Sequence, residues 1–159
     1  MPITLREETA EDQLFLLEVY ASTRAQEMAL VPWSDEQRAA FVRSQFDAQH
    51  SYYQAQFPDA SYQVIMIDGE RAGRVYVLRE SEAAIRILDI TLLPQHRNSG
   101  IGTSLIQEIL AEADQAGKPV SIWVENFNPS LKLFERLGFV RIQEDGFNCL
   151  MDYRPAVTA

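Results

Sequence analysis

The order of its short segments predicts an α+β fold, a mixed and mostly antiparallel sheet of about seven strands with helices on both faces. Three observations carry this. Alternating apolar runs, the two-residue period of a half-buried strand, outnumber runs with helical spacing. Two pairs of strand runs are joined by Asp-Gly, at Asp68-Gly69 and Asp145-Gly146, the dipeptide that favours a tight hairpin turn. The order β-α-α-β-β-β-α-β-α-β-β is also too rich in hairpins for a doubly wound parallel sheet.

The elements follow in turn. "ITLR" at 3–6 alternates and forms a first strand. Thr9 is a candidate cap for a helix over about 10–23, with Leu14, Leu17 and Val19 among its apolar positions. "VPWSDEQ" breaks the chain, and Ser34 with Gln37 forms a capping box for a second helix, about 35–53. "YQVIMI" and "RAGRVYVLR" are the arms of the first hairpin, and "AIRILDITLL" at 84–93 is a third strand of that sheet. Ile101, Leu105, Ile106, Ile109, Leu110 and Ala113 recur at helical spacing, and Gly117 with Pro119 stops that helix. "VSIWV" at 120–124 returns to strand. Asn128 caps a last helix with Pro129 at its first position, where a missing N–H costs nothing. Leu131, Phe134 and Leu137 give it an apolar face, and Gly138 ends it. "FVRIQE" and "NCLMDY" close the sheet.

The 159 residues fit one domain spanning 1–159. The net charge of -9 disfavours nucleic acid as a partner, because an acidic body repels phosphate backbones. Only Lys118 and Lys132 are lysines; the other basic residues are arginines, suited to forked contacts with phosphate or carboxylate. Cys149 has no disulfide partner and reads as a small packed hydrophobe, which fits a reducing, cytoplasmic setting. There is no secretory signal pattern and no apolar run of spanning length, so no membrane is expected. Neither His50 nor His96 has a partner at metal-ligand spacing, so no metal is expected.

"HRNSGIGTSL" at 96–105 puts Gly100 and Gly102 where a helix must begin. The first N–H groups of a helix lack internal partners, and its dipole adds partial positive charge. Glycines there remove the Cβ atoms that would hold an anion away, so the stretch is built as a phosphate cradle or, equally, as a flexible turn. No Gly-Lys-Ser/Thr follows, which excludes a P-loop. Leu105 stands where a dinucleotide fingerprint needs its third glycine.

"LLPQHRNSGIGTSLI", followed by "VSIWVENFNPSLKLFERLGF", resembles the Gcn5-related N-acetyltransferases (GNAT). Arg97-Asn98-Ser99-Gly100-Ile101-Gly102 matches the first motif of that family, and Asn128, Ser130, Phe134 and Gly138-Phe139 stand along its second. The two motifs cover about a third of the chain. The resemblance implies acetyl-CoA as co-substrate. Its pyrophosphate would lie on the backbone of Arg97, Asn98, Ser99, Gly100, Ile101, Gly102 and Thr103. Its pantetheine arm would pair beside Leu92 and Leu93, with Asn128 and Phe134 facing it. The implied activity is transfer of an acetyl group to a primary amine of a small molecule or peptide, by direct attack in a ternary complex; a homodimer is one implied assembly. Phe134 departs from the family, which often has Tyr there as the acid that protonates the leaving thiolate. That departure keeps a non-catalytic acyl-CoA-binding module as an alternative. A toxin-like acetyltransferase acting on aminoacyl-tRNA is a second, disfavoured by the acidic charge.

An amine nucleophile must lose a proton, so a carboxylate is sought near it. Asp89, mid-strand in "ILDIT" and on one face with Thr91, is one candidate, and an edge position or a buried partner for an arginine is its other reading. Glu125, on one face with Trp123 and Ser121, is the second; its plainer reading is a solvated strand end. The first two helices cover the acceptor site in the resembling family, which points to Arg24, Glu27, Trp33 and Tyr53, with Trp123 as a pocket wall.

Overall fold

The computed structural model describes residues 2–79, 82–126 and 128–155. The strands are β1 (Ile3–Glu7), β2 (Ser61–Ile67), β3 (Glu70–Leu78), β4 (Ile85–Leu92), β5 (Val120–Glu125), β6 (Val140–Glu144) and β7 (Asn148–Tyr153). The helices are α1 (Gln13–Leu30), α2 (Asp35–Gln56), α3 (Ile101–Ala116) and α4 (Ser130–Arg136), with 3-10 turns at Ala10–Asp12 and Pro94–His96. One sheet runs β1-β2-β3-β4-β5-β7-β6, and among the described residues β4 with β5 is its only parallel pair.

The sheet separates two apolar clusters. Along β2 the side chains alternate: Ile65 and Ile67 join α3 and α4 on one face, and Val64 and Met66 join α1 and α2 on the other. The helical stripe of α3 is buried at every position expected of it, from Ile101 to Ala113. Asp68 and Gly69 both take positive φ, 51° and 83°, the pair of left-handed residues that a type I′ turn requires. Cys149 is buried in the α3/α4 cluster, and that burial pushes its thiol up.

The first helix differs from expectation. Asp12 folds back onto the Thr9 N–H at 2.8 Å, so a 3-10 turn fills 10–12 and α1 starts at Gln13. It then runs to Leu30 rather than 23, because nothing before Val31-Pro32 breaks it. Its buried stripe is Phe15, Leu16, Val19 and Tyr20, whereas Leu14 lies 77% exposed. At α2 the Ser34–Gln37 box forms in both directions, at 2.9 and 3.1 Å, and the helix continues to Gln56. Among the described residues no helix is long and apolar enough to cross a membrane.

Candidate active site

The site is where β4 and β5 part. Their parallel pairing covers only Ile85↔Val120, Arg86↔Ser121 and Ile87↔Ile122. Beyond it β4 stays with β3 out to Leu92↔Gly73, and β5 stays with β7 out to Glu125↔Asn148, so each strand follows its other neighbour. A β-bulge marks the parting. Tyr76 faces Asp89 and Val77 faces Ile87, which leaves Leu88 as an extra residue on β4. The bulge reverses the alternation. Ile85 and Ile87 belong to the α3/α4 core, while Asp89 and Thr91 turn to the α1/α2 face beside Arg74. A cavity of about 310 Å³ fills the gap and reaches both faces of the sheet.

On the α3/α4 side the cavity is lined by Leu92, Gly102, Ile106, Asn128, Ser130, Leu133 and Phe134. The loop into α3 holds Asn98 at φ 60° and Gly100 at φ 83°, and this winding points successive N–H groups outward. Among the described residues, no protein acceptor takes the backbone N–H of Asn98, Ser99, Gly100, Ile101, Gly102 or Thr103. A Cβ on Gly102 would meet only Leu92 Cδ1, at 4.0 Å, so the space over this turn is open. These residues therefore fit a diphosphate group. Leu93 donates its N–H to Ala72 at 2.8 Å, so it faces β3; Leu92, one residue back, presents its backbone to the gap. Arg97 donates from Nε to the Leu92 carbonyl at 2.9 Å and reaches Ser22 Oγ at 3.3 Å. Asn128 accepts from the Ser130 N–H at 2.9 Å and so caps the start of α4. Phe134, 2% exposed, lies edge-on to Phe139 at 5.1 Å.

The opposite side is polar. Tyr20, Thr23 and Arg24 come from α1, Gln49 and Tyr53 from α2, Arg74 from β3, Asp89 and Thr91 from β4, Trp123 and Glu125 from β5. Asp89 accepts from Arg74 at 2.5 Å and from the Thr91 hydroxyl at 2.5 Å, so both its oxygens are engaged. Burial works against the Arg74 charge, but the adjacent Asp89 carboxylate prevails and holds the guanidinium above its ordinary range. Tyr53 donates to the Leu88 carbonyl at 3.2 Å, at the bulge itself, and burial and then Asp89 push its phenol up. The Glu125 carboxylate makes no hydrogen bond or ion pair with a described residue.

The expected acceptor residues divide. Arg24, Tyr53 and Trp123 line the cavity. Glu27 lies outside its lining and pairs with Arg24 at 3.1 Å; Trp33 meets Phe41 edge to face, with ring centroids 5.2 Å apart, also away from it. Sequence reasoning missed Arg74, Gln49 and Tyr20. The signal for Arg74 was present: an arginine inside "AGRVYV", mid-strand like Asp89 in the following strand, is a charge that needs a buried partner.

Residues 18–139 match the Acetyltransferase (GNAT) family. A mycothiol acetyltransferase of Saccharopolyspora erythraea is 31% identical over 104 residues, covering 57% of this chain. The match takes up 34% of that relative, so the chain spans about a third of its length. Among solved structures, the PaiA N-acetyltransferase of Thermoplasma acidophilum in complex with coenzyme A superposes with a TM-score of 0.72 at 19% identity, over 97% of this chain and 99% of that one. An acetyltransferase of Thermus thermophilus superposes with a TM-score of 0.68 at 17% identity, over 97% of each chain. At these identities the superpositions show the fold.

Proposed function

The chain belongs to the GNAT acetyltransferase family, and from that premise we propose that it is a single-domain enzyme moving an acetyl group from acetyl-CoA to a primary amine. The observation that carries the reading is the cavity between β4 and β5, which joins an open turn of free N–H groups on one face to a polar chamber on the other. The diphosphate would rest on Asn98 to Thr103, and the pantetheine arm would pair with the free edge of Leu92. Arg97 holds the Leu92 carbonyl and would swing away to the phosphates.

In the transfer, the amine nitrogen attacks the thioester carbon. The C–N bond forms, the C–S bond breaks, the nitrogen gives up a proton and the sulfur leaves as thiolate. Glu125 is our base: it lines the chamber with a carboxylate that no described residue engages, so a proton can reach it. Asp89 has both oxygens engaged, and we assign it to holding Arg74 and the bulge rather than to proton transfer. Phe134 cannot protonate the thiolate. A thiol with a pKa near 8.5 is a tolerable leaving group, and water can supply its proton.

The test is release of free thiol from acetyl-CoA with a panel of primary amines. Release that depends on the amine supports transfer. Phe134 favours one other reading, an acyl-CoA-binding module; CoA binding with no thiol release under any amine would select it.

A further inference from the structure

The polar chamber has more to offer than an amine can use. Arg74 has five N–H groups to place, and it is 2% exposed. Its side-chain hydrogen bonds to described residues, Gln49 and Asp89, both leave from Nη2. Its Nε is buried with no partner, and Nη1 donates to no described residue. Arg24 reaches Tyr20 Oη from Nε and Glu27 from Nη1, which leaves its Nη2 without a partner among the described residues. Both guanidinium groups lie against the ring of Tyr20, with Cζ 5.5 Å and 6.0 Å from its centroid. Two cations thus converge on one wall of the cavity, and the unengaged carboxylate of Glu125 lines the same cavity from β5.

A buried guanidinium with unfilled donors is costly, and native sites seldom keep one unless something else completes it; Arg74 is buried with Nε unpartnered, and the half-buried Arg24 adds a free Nη2 beside it. A simple alkyl amine would meet Glu125 and leave the arginines unanswered. We infer that the acceptor carries a carboxylate as well as the amine, in the manner of a free amino acid, with its carboxylate on Arg24 and Arg74 and its nitrogen toward Glu125. Guanidinium is the side chain whose donor fork matches a planar carboxylate. Glu27 and Asp89 already balance the charges of Arg24 and Arg74, so it is the unfilled N–H groups of the two arginines that call for a carboxylate. The size agrees as well, since about 310 Å³ must also admit the thioester end of the donor.

The inference rests on the acetyltransferase reading, and the experiment separates the two. The full chain is assayed for thiol release from acetyl-CoA with amino acids and their decarboxylated amines in matched pairs, among them lysine with cadaverine and phenylalanine with phenethylamine. At least one amino acid should exceed its partner by about 30-fold or more in kcat/KM, the size of a charge-assisted hydrogen-bond pair. Arg24→Gln should lower kcat/KM for that amino acid at least tenfold, chiefly through KM, and lower its amine partner's by less. Amines turned over as well as their amino acids in every pair overturn the carboxylate while leaving the transfer reading intact. So does an Arg24→Gln variant in which both fall equally. If no amine releases thiol, the transfer reading fails, and the carboxylate is judged by binding alone. Amino acids, and not their decarboxylated partners, should then raise the melting temperature of the CoA-saturated protein; no difference within the pairs overturns the inference.

Discussion

Replacing Gly102 with valine tests the cradle directly, because the structure separates its effect on folding from its effect on binding. Gly102 lies in the first turn of α3 with an ordinary backbone, unlike Gly100, whose φ of 83° resists any side chain. A Cβ there would find only Leu92 Cδ1, at 4.0 Å. Valine is no worse a helix residue than glycine, and the two differ by about 0.5 kcal/mol or less. The fold should therefore tolerate the change. The diphosphate should not, because the branched side chain fills the place where its oxygens meet the N–H groups. A hydrogen bond to a charged group contributes roughly 1.5–3 kcal/mol, so losing two costs about 3–6 kcal/mol. At 1.4 kcal/mol per factor of ten, CoA affinity should fall on the order of 100- to 10,000-fold. Titration calorimetry with CoA measures the loss, and a thermal melt of the same sample measures the fold. Gly102→Ala should fall between valine and the unaltered chain. A Gly102→Val protein that melts normally and binds CoA with unchanged affinity would refute the cradle.

The two carboxylates should separate by assay. Glu125→Gln should lower kcat at least about 100-fold and leave the melting temperature in place, since the carboxylate has no partner to lose among the described residues. Asp89→Asn should instead destabilise the protein by about 3 kcal/mol in denaturant unfolding, because it strands the buried Arg74 charge. A stable Asp89→Asn protein whose kcat falls at least about 100-fold, beside a Glu125→Gln protein that keeps its turnover, would make Asp89 the base. Phe134→Tyr should raise turnover with an unchanged melt, since the ring lines the cavity; a lowered melt with no gain would say that the hydroxyl is buried without a partner. Asp12 offers a pH test away from the site. Arg6, at 2.8 Å through both oxygens, lowers the pKa of its carboxyl; burial opposes this, and Thr9 and Arg71 add to it. The folded pKa lies below the unfolded value of about 3.9, so this contribution is complete above that value and is lost as pH falls through and below it. Asp12→Asn should cost about 1–3 kcal/mol at pH 7 in urea unfolding, and the gap should close toward pH 2; a gap independent of pH would refute the assignment.

The strands, the helices and their order were legible because each is written in short-range signals. The α3 stripe from Ile101 to Ala113 is a 3.6-residue period, and the Ser34–Gln37 box and the Asp68-Gly69 turn are local hydrogen-bond and φ requirements. The open N–H groups before α3 were legible for the same reason, since a glycine at a helix start acts within its own turn. What α1 covers was less so: Leu14 is apolar yet points to solvent, because the helix packs on the sheet through Phe15, Leu16, Val19 and Tyr20. The chamber needed the tertiary structure. Asp89 and Thr91 alternate in phase with Ile85 and Ile87, and on sequence alone all four share a face. One extra residue at Leu88 sends the acid and the hydroxyl to the opposite side, onto Arg74, which comes from a neighbouring strand. A bulge is set by the register between strands, and the parting of β4 from β5 by partners far away in the chain. No local period encodes either, so the sequence by itself determined the elements and the open turn, and only the packed sheet decided what faces the cavity.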